Sequence, residues 1–485
     1  MNYRIIGTFL GNVLRIEALL LLLPCLTGFL YHETQTAFVY LLTAVLTFFL
    51  GLLLSMRKDR SSIYYAREGF VSVGLAWILM SILGALPFVI TREIPNFVDA
   101  LFETVSGFTT TGASILPAPE AMTYAANLWR CLTHWIGGMG IIVFMLAIFP
   151  SNSGYNMHLM KAESPGPQVG KLVPKIRETA QTLYRIYLAM TIAEIVCLFI
   201  AGMPLYDSVC TAFGSAGTGG YGIKNDSMAS YSVLLQVIIT VFILGFGVNF
   251  NFYYYLLRTK SRKEAFKMEE VKVYFLIVAA AVLMIAFNVR TYFGSFLSSL
   301  QQSAFQVASI ITTTGYATTN FDLWPTFSKG ILVMLMFIGA CAGSTGGGVK
   351  VSRVILTARM IKLEILRFIH PNQVRNLQLD GKPVDDETLR SVGAFMLTFV
   401  FVFIISVFFV SLDDVDLVTA FTSVAATLNN IGPGLSMVGP SCNYGGLSVF
   451  SKAVLMFDML AGRLELFPIL LLLAPQTYTR KYRKI

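Results

Sequence analysis

The chain has 485 residues, 55% hydrophobic and 13% charged, with a mean hydropathy of +0.68, whereas an ordinary soluble domain carries about 25% charged residues. This composition excludes a water-soluble globule, and no long stretch reaches the charge density of a separate soluble domain. The excess of 36 Lys and Arg over 27 Asp and Glu gives +9, but the basic residues cluster in short connections between apolar runs, which points to membrane topology rather than to nucleic acid.

The first apolar run, 5–30, is too long for a signal peptide, carries Arg15 and Glu17 and has no small-x-small site after it. It reads as a retained helix. Nine further runs near the spanning length of about 20 residues follow, at 36–56, 69–91, 124–150, 180–203, 231–257, 271–290, 328–350, 391–411 and 447–475. Twenty-four basic residues fall in one alternate set of connections (Arg57, Lys58, Arg60 and Arg67 in the first, Arg480, Lys481, Arg483 and Lys484 in the last) and six in the other (Arg92, Arg130, Lys224, Arg290, Lys329 and Lys452). The positive-inside rule then predicts both termini in the cytoplasm.

From the third helix onward, each outward connection holds a moderately apolar stretch too short to span, ending in Gly, Thr or Asn. These are 99–112, 207–220, 305–315 and 421–432. Aligned on Gly112, Gly220, Gly315 and Gly432, they place Thr110, Thr218, Thr313 and Asn430 two positions earlier, and they recur at 108, 95 and 117 residues. Each lies between two apolar helices, so the pattern is a fourfold internal repeat of helix, re-entrant loop and helix. The expected fold is an all-α polytopic membrane protein: two leading helices (1–68) and four repeats (69–150, 151–258, 259–361 and 362–485) in pseudo-fourfold arrangement around a central pore. All four keep one orientation, unlike the inverted repeats of many carriers.

Non-helical backbone at membrane depth is tolerated only inside protein or beside water. Four loops converging on one axis meet that condition together. Each short helix would aim its negative C-terminal end at the axis, and the glycine segment would turn its carbonyls inward, where they replace the water shell of a cation. The residues alone admit any monovalent cation. The side chains of Thr110, Thr218, Thr313 and Asn430 are expected to hold the loops in shape.

These loops, with His134-Trp135-Ile136-Gly137-Gly138-Met139-Gly140 and Gly343-Ser344-Thr345-Gly346-Gly347-Gly348-Val349-Lys350, resemble the Trk/Ktr/HKT superfamily of potassium transporters. The resemblance covers essentially the whole chain, and the helices within 5–56 correspond to the two additional ones of its bacterial Trk branch. It implies K+ as the transported ion, with no organic cofactor in this chain. It also implies a selectivity filter over Thr110, Thr111 and Gly112; Thr218, Gly219 and Gly220; Thr313, Thr314 and Gly315; and Asn430, Ile431 and Gly432. Plant relatives with serine at the first glycine prefer sodium, whereas this chain has Gly112. The resemblance further implies a bacterial inner membrane, a homodimer and a separate cytoplasmic ring of nucleotide-binding regulatory subunits of the TrkA type. No part of the chain could form a nucleotide-binding domain itself.

The run 340–348 falls in the middle of the third unit's inner helix, 328–350, where each interior glycine costs a helix about 1 kcal/mol. An unwound loop here would lie below the filter, and the family's intramembrane gating loop maps onto Gly343, Ser344, Thr345, Gly346, Gly347 and Gly348. Close helix packing through small residues is the competing reading. A Walker loop is excluded because Val349-Lys350 follows Gly348 in place of Lys-[Ser/Thr]. Arg463 stands among apolar residues in the last inner helix, and a mid-membrane arginine faces a cavity or a partner. The resemblance puts a basic residue of this helix beside the pore below the filter; an ion pair with Glu465 or Asp458 is the alternative. Glu103, Asp99 and Asp207 either gather cations at the outer mouth or, for the two aspartates, cap their short helices. His134 reads as a packing residue.

The six cysteines and four histidines form no legible metal or disulfide framework, and no nucleophile elbow accompanies the GSTGGG run. An enzyme is therefore not expected. The expected activity is K+ uptake, with Rb+ as a congener, down its electrochemical gradient. A K+ symporter coupled to Na+ or H+ is the alternative.

Overall fold

The computed structural model describes residues 1–56, 66–140, 176–257, 262–370 and 376–478. The basic clusters at 57–60, 161–175, 258–260, 375 and 480–484, and the 141–150 end of the fourth apolar run, lie outside the described residues. The fold is almost wholly helical. Helices α1 (Tyr3–Leu20), α2 (Leu22–Leu30) and α3 (Thr34–Ser55) form a leading hairpin. It is closed by small residues, since a Cβ on Gly11 would stand 2.4 Å from the Gly51 carbonyl oxygen, the close backbone approach that membrane helices use.

Four units follow, each with an outer helix, a short helix and an inner helix. The first is α4 (Ala66–Ile90), α5 (Phe97–Phe108) and α6 (Tyr124–Gly138). The second is α7 (Ile176–Ile200), α8 (Leu205–Gly217) and α9 (Val233–Phe246), continued by α10 (Phe250–Leu257) and the four-residue α11 (Arg262–Ala265). The third is α12 (Glu269–Asn288), α13 (Phe296–Ile311) and α14 (Thr326–Ile338), continued by α15 (Val351–Ile369). After a two-stranded hairpin, β1 (Gln378–Leu379) and β2 (Lys382–Pro383), the fourth is α16 (Asp386–Val410), α17 (Leu417–Leu428) and α18 (Val449–Arg463), continued by α19 (Phe467–Leu473). Local sequence sets the helix starts: Asn96, Ser295 and Asp416 cap α5, α13 and α17, and Thr123, Ser232 and Ser448 cap α6, α9 and α18, each accepting a backbone N–H.

The packing is cyclic. Helices α8, α13 and α17 pack on α6, α9 and α14 of the preceding unit, and α5 of the first unit packs on α18 of the last. The leading hairpin packs against α4 and α6 outside this cycle. Among the described residues six helices are long and apolar enough to span a membrane, and α9 with α10 passes only as a pair bent by 91°. This corrects the sequence expectation of comparable spans for the second and fourth inner helices, which break partway, while the third breaks over the run expected to unwind. The breaks fall at 247–249, at 339–350 and at Glu465 and Leu466, the last two with positive φ at Gly339, Glu465 and Leu466.

Candidate functional site: a four-loop ring and the segment beneath it

All four short helices end by the same turn. Thr110, Thr218, Thr313 and Asn430 have φ of 55°, 55°, 59° and 55°. Their N–H groups donate to the carbonyls of Gly107, Ser215, Ile310 and Thr427 at 3.0–3.1 Å. The next N–H groups, of Thr111, Gly219, Thr314 and Ile431, donate to Ser106, Gly214, Ser309 and Ala426 at 2.8–2.9 Å. This pair of bonds is the Schellman cap, whose left-handed position normally takes glycine or asparagine. Three threonines there occupy a conformation β-branched residues avoid, which persists only where the surroundings over-determine it.

The glycines close the ring. A Cβ on Gly112 would stand 1.9 Å from the Gly219 oxygen, one on Gly220 1.9 Å from the Thr314 oxygen, one on Gly315 2.0 Å from the Ile431 oxygen, and one on Gly432 2.7 Å from the Thr111 oxygen. Each glycine thus faces the carbonyl preceding the glycine of the next loop, from first to fourth and back to first. Their φ values of 78°, 71°, 83° and 98° exclude other residues a second time. All four line one open vestibule of ≈ 80 Å³, so the structure brings the four sequence-derived triplets together around one line.

Side chains brace the ring unevenly. The Thr313 hydroxyl accepts the Gly347 N–H at 2.6 Å, and the Asn430 amide donates to the Thr111 hydroxyl at 3.0 Å and the Met459 carbonyl at 2.9 Å. The Thr218 hydroxyl reaches only its neighbour's carbonyl, Gly217, at 2.6 Å, and Thr110 Oγ1 has no partner among the described residues. In the first and third loops a hydroxyl pair, Thr109 with Thr111 at 2.8 Å and Thr312 with Thr314 at 2.7 Å, supplements the turn.

Two braces escaped the sequence analysis. Tyr221 and Tyr316 each follow a ring glycine, and their hydroxyls donate to the carbonyls of Glu103 (2.7 Å) and Thr211 (3.0 Å) in the preceding short helix. Both acceptors lie nine residues before their own glycine, so the two clamps are equivalent. A tyrosine at the same place in two loops was the available signal. The second brace is a buried ion pair, Arg130 with Glu103 at 2.5 Å. Arg130 also donates to the Gly222 carbonyl at 2.9 Å and stacks 3.8 Å over the Tyr221 ring, while Glu103 accepts the Ile115 N–H at 3.0 Å.

These contacts correct the acidic-mouth expectation. Glu103 is buried and neutralised rather than facing the mouth. Asp99 and Asp207 cap nothing, because Asn96 and Pro204 hold the cap positions; Asp99 pairs with Lys452 at 2.6 Å and Asp207 accepts the Tyr231 hydroxyl at 2.9 Å. His134 is packed as expected, with Nδ1 2.8 Å from the Gly107 carbonyl and its ring 4.1 Å from that of Tyr221.

Residues 339–350 form no helix and lie directly against the ring. A Cβ on Gly346 would stand 2.8 Å from the Thr312 oxygen, and one on Gly347 2.5 Å from the Asn429 oxygen. On the opposite side Cys341 N–H donates to Gly247 at 3.1 Å, and the Thr345 hydroxyl donates to the Phe246 carbonyl at 3.3 Å. Arg463 completes the crossing: it donates to the Thr345 carbonyl at 2.9 Å, to Gly138 at 2.7 Å and to Gly137. Of the two carboxylates considered as its ion-pair partners, Glu465 pairs with Arg353 and Asp458 accepts the Ser406 hydroxyl at 2.7 Å. The segment therefore touches the second, third and fourth units, and Arg463 links it to the first. Among the described residues no three His, Cys, Asp or Glu side chains gather as a metal site.

A polytopic helical membrane protein whose four repeated loops line one shared vestibule falls in the class of transport proteins. The family model described as TrkH, cation transport protein, matches residues 37–482. The Trk system potassium uptake protein TrkH of Salmonella typhimurium is 35% identical, covering 98% of this chain and 99% of its own, and TrkG of Escherichia coli K12 is 31% identical over 97% and 98%. The crystal structure of the potassium transporter TrkH from Vibrio parahaemolyticus superposes with a TM-score of 0.89 at 31% identity, over 99% of this chain and 100% of that one. The chain belongs to the TrkH family of cation transport proteins, which are transporters and not enzymes.

Proposed function

We propose that the chain takes up K+, and Rb+ with it, conducting the dehydrated ion through the ring down its electrochemical gradient. The observation that supports this most is the closed cycle of glycine against carbonyl through Gly112, Gly220, Gly315 and Gly432, since rings of backbone oxygen substitute for a cation's water. The choice of K+ rests on the relatives named as potassium transporters. The filter comprises Thr110 to Gly112, Thr218 to Gly220, Thr313 to Gly315 and Asn430 to Gly432. Membrane potential supplies about 2.3 kcal/mol per charge per 100 mV.

Gly343 to Gly348 and Arg463 form the gate. At about 5 Å and an effective dielectric of about 20, the guanidinium repels a passing cation by about 3 kcal/mol. The chain divides into a leading part (1–68) and repeats over 69–150, 151–258, 259–361 and 362–485. It sits in a bacterial inner membrane among lipid, with both termini cytoplasmic. Its partners are a second copy and a TrkA-type nucleotide-binding ring. Purified chain in liposomes should take up Rb+ under an imposed voltage with no other gradient. Uptake that demands a Na+ or H+ gradient would replace conduction by symport.

A further inference from the structure

We propose that Glu270 is a positioning residue for the axis-crossing segment: one of its carboxylate oxygens anchors the neck of 339–350 to α12, and with Glu269 it links that neck to the surface hairpin 378–383. The proposal rests on reading the segment as a gate. Glu270 lies in the first turn of α12 and is 5% exposed. Its Oε1 accepts the N–H of Ala342 at 2.7 Å and of Ser352 at 3.0 Å. The first donor lies on the incoming limb of the segment and the second in the opening turn of α15. The residue before α15, Lys350, makes no side-chain cap bond. Glu270 therefore caps that helix from a neighbouring one, where an anion is favoured by the exposed N–H groups.

The neck is already paired by backbone, Val349 to Phe337 at 3.3 Å, Lys350 to Ile338 at 3.0 Å and Val351 to Ala340 at 3.1 Å. What Glu270 adds is attachment of that paired neck to an outer helix. Its neighbour turns the other way. The Glu269 carboxylate pairs with Arg359 of α15, its N–H donates to Asp380 Oδ1 at 2.7 Å, and Arg359 also donates to the Gln378 carbonyl. Two consecutive carboxylates thus join the hairpin between the third and fourth units to the neck, and a displacement of the hairpin reaches the axis through α12 and α15. The signal in the sequence is an acidic pair heading an otherwise apolar helix.

Cys341, buried and adjacent to Ala342, reports the state of the neck. In full-length chain with the other five cysteines replaced by serine or alanine, reconstituted in liposomes, its rate of reaction with a small methanethiosulfonate reagent is measured beside Rb+ flux. Glu270→Ala should speed the reaction about tenfold and raise flux, as loss of two charge-assisted bonds implies. Glu270→Gln keeps an oxygen acceptor without the charge and should fall between, and Asp380→Ala should give a smaller rise in both. An unchanged Cys341 rate in folded Glu270→Ala overturns the anchor; if that variant does not fold, an unchanged rate in Glu270→Gln does so. An unchanged rate in Asp380→Ala overturns the hairpin link. Wild-type liposomes that take up no Rb+ would sink the transport reading itself, and the Cys341 rates would still decide the anchor.

Discussion

In the ring, each loop is fixed by its own backbone: two turn bonds at 2.8–3.1 Å and a glycine pressed on the next loop's carbonyl. In segment 339–350, beside it, backbone bonds at the neck and to Gly247 are joined by side chains from elsewhere, namely Thr313, Glu270 and Arg463. Both are irregular chain at membrane depth, and both satisfy their polar groups internally as the bilayer requires. Backbone turns have no alternative partner within reach. Long side chains do, and under the proposed gating the second region is therefore the one that exchanges its bonds.

The contrast is broken most severely at the ring. Gly220→Ala places a methyl 1.9 Å from the Thr314 oxygen at φ of 71°, and strain of a few kcal/mol should lower Rb+ uptake by about 100-fold or more. Flux near wild type would mean that the ring yields and is not the rigid region. Next comes the ion pair behind the ring: Arg130→Met leaves the Glu103 carboxylate buried without its countercharge, which should cost about 3–5 kcal/mol, read as a lowered melting temperature of the purified chain.

At the crossing segment the sign reverses. Arg463→Ala removes three hydrogen bonds and a charge from the crossing, and single-channel or Rb+ flux should rise by about tenfold. Unchanged current with collapsed folded yield would make the arginine structural. The smallest effect is expected for Tyr316→Phe, which loses the 3.0 Å bond to Thr211, about 1 kcal/mol. A modest drop in the K+ over Na+ permeability ratio, with unchanged yield, is the result that would assign the clamp to the ring.

The four loops were legible because glycine and the residue two places before it carry a backbone requirement that repeats in register, and a local requirement survives in sequence. The break at 339–350 was legible in its glycines, but those at 247–249 and at Glu465 and Leu466 were not, because each falls inside a run that reads as one apolar span. Glu103 was misjudged for a different reason. Its partner Arg130 is 27 residues away on another helix, and the sequence counted that arginine as part of an outward connection. Glu270 went unremarked because both its acceptor contacts lie more than 70 residues downstream.

The joint between fourth and first loops has a consequence for biogenesis. The Asn430 amide on Thr111, the glycine contact of Gly432, and Tyr444 held on the Gly432 carbonyl at 2.6 Å all come from the last quarter of the chain. Until the ribosome has delivered those residues, the earlier three units face an unfilled side, with backbone oxygen exposed to whatever the insertion machinery offers. Closure of the circle therefore waits on the last quarter of the chain.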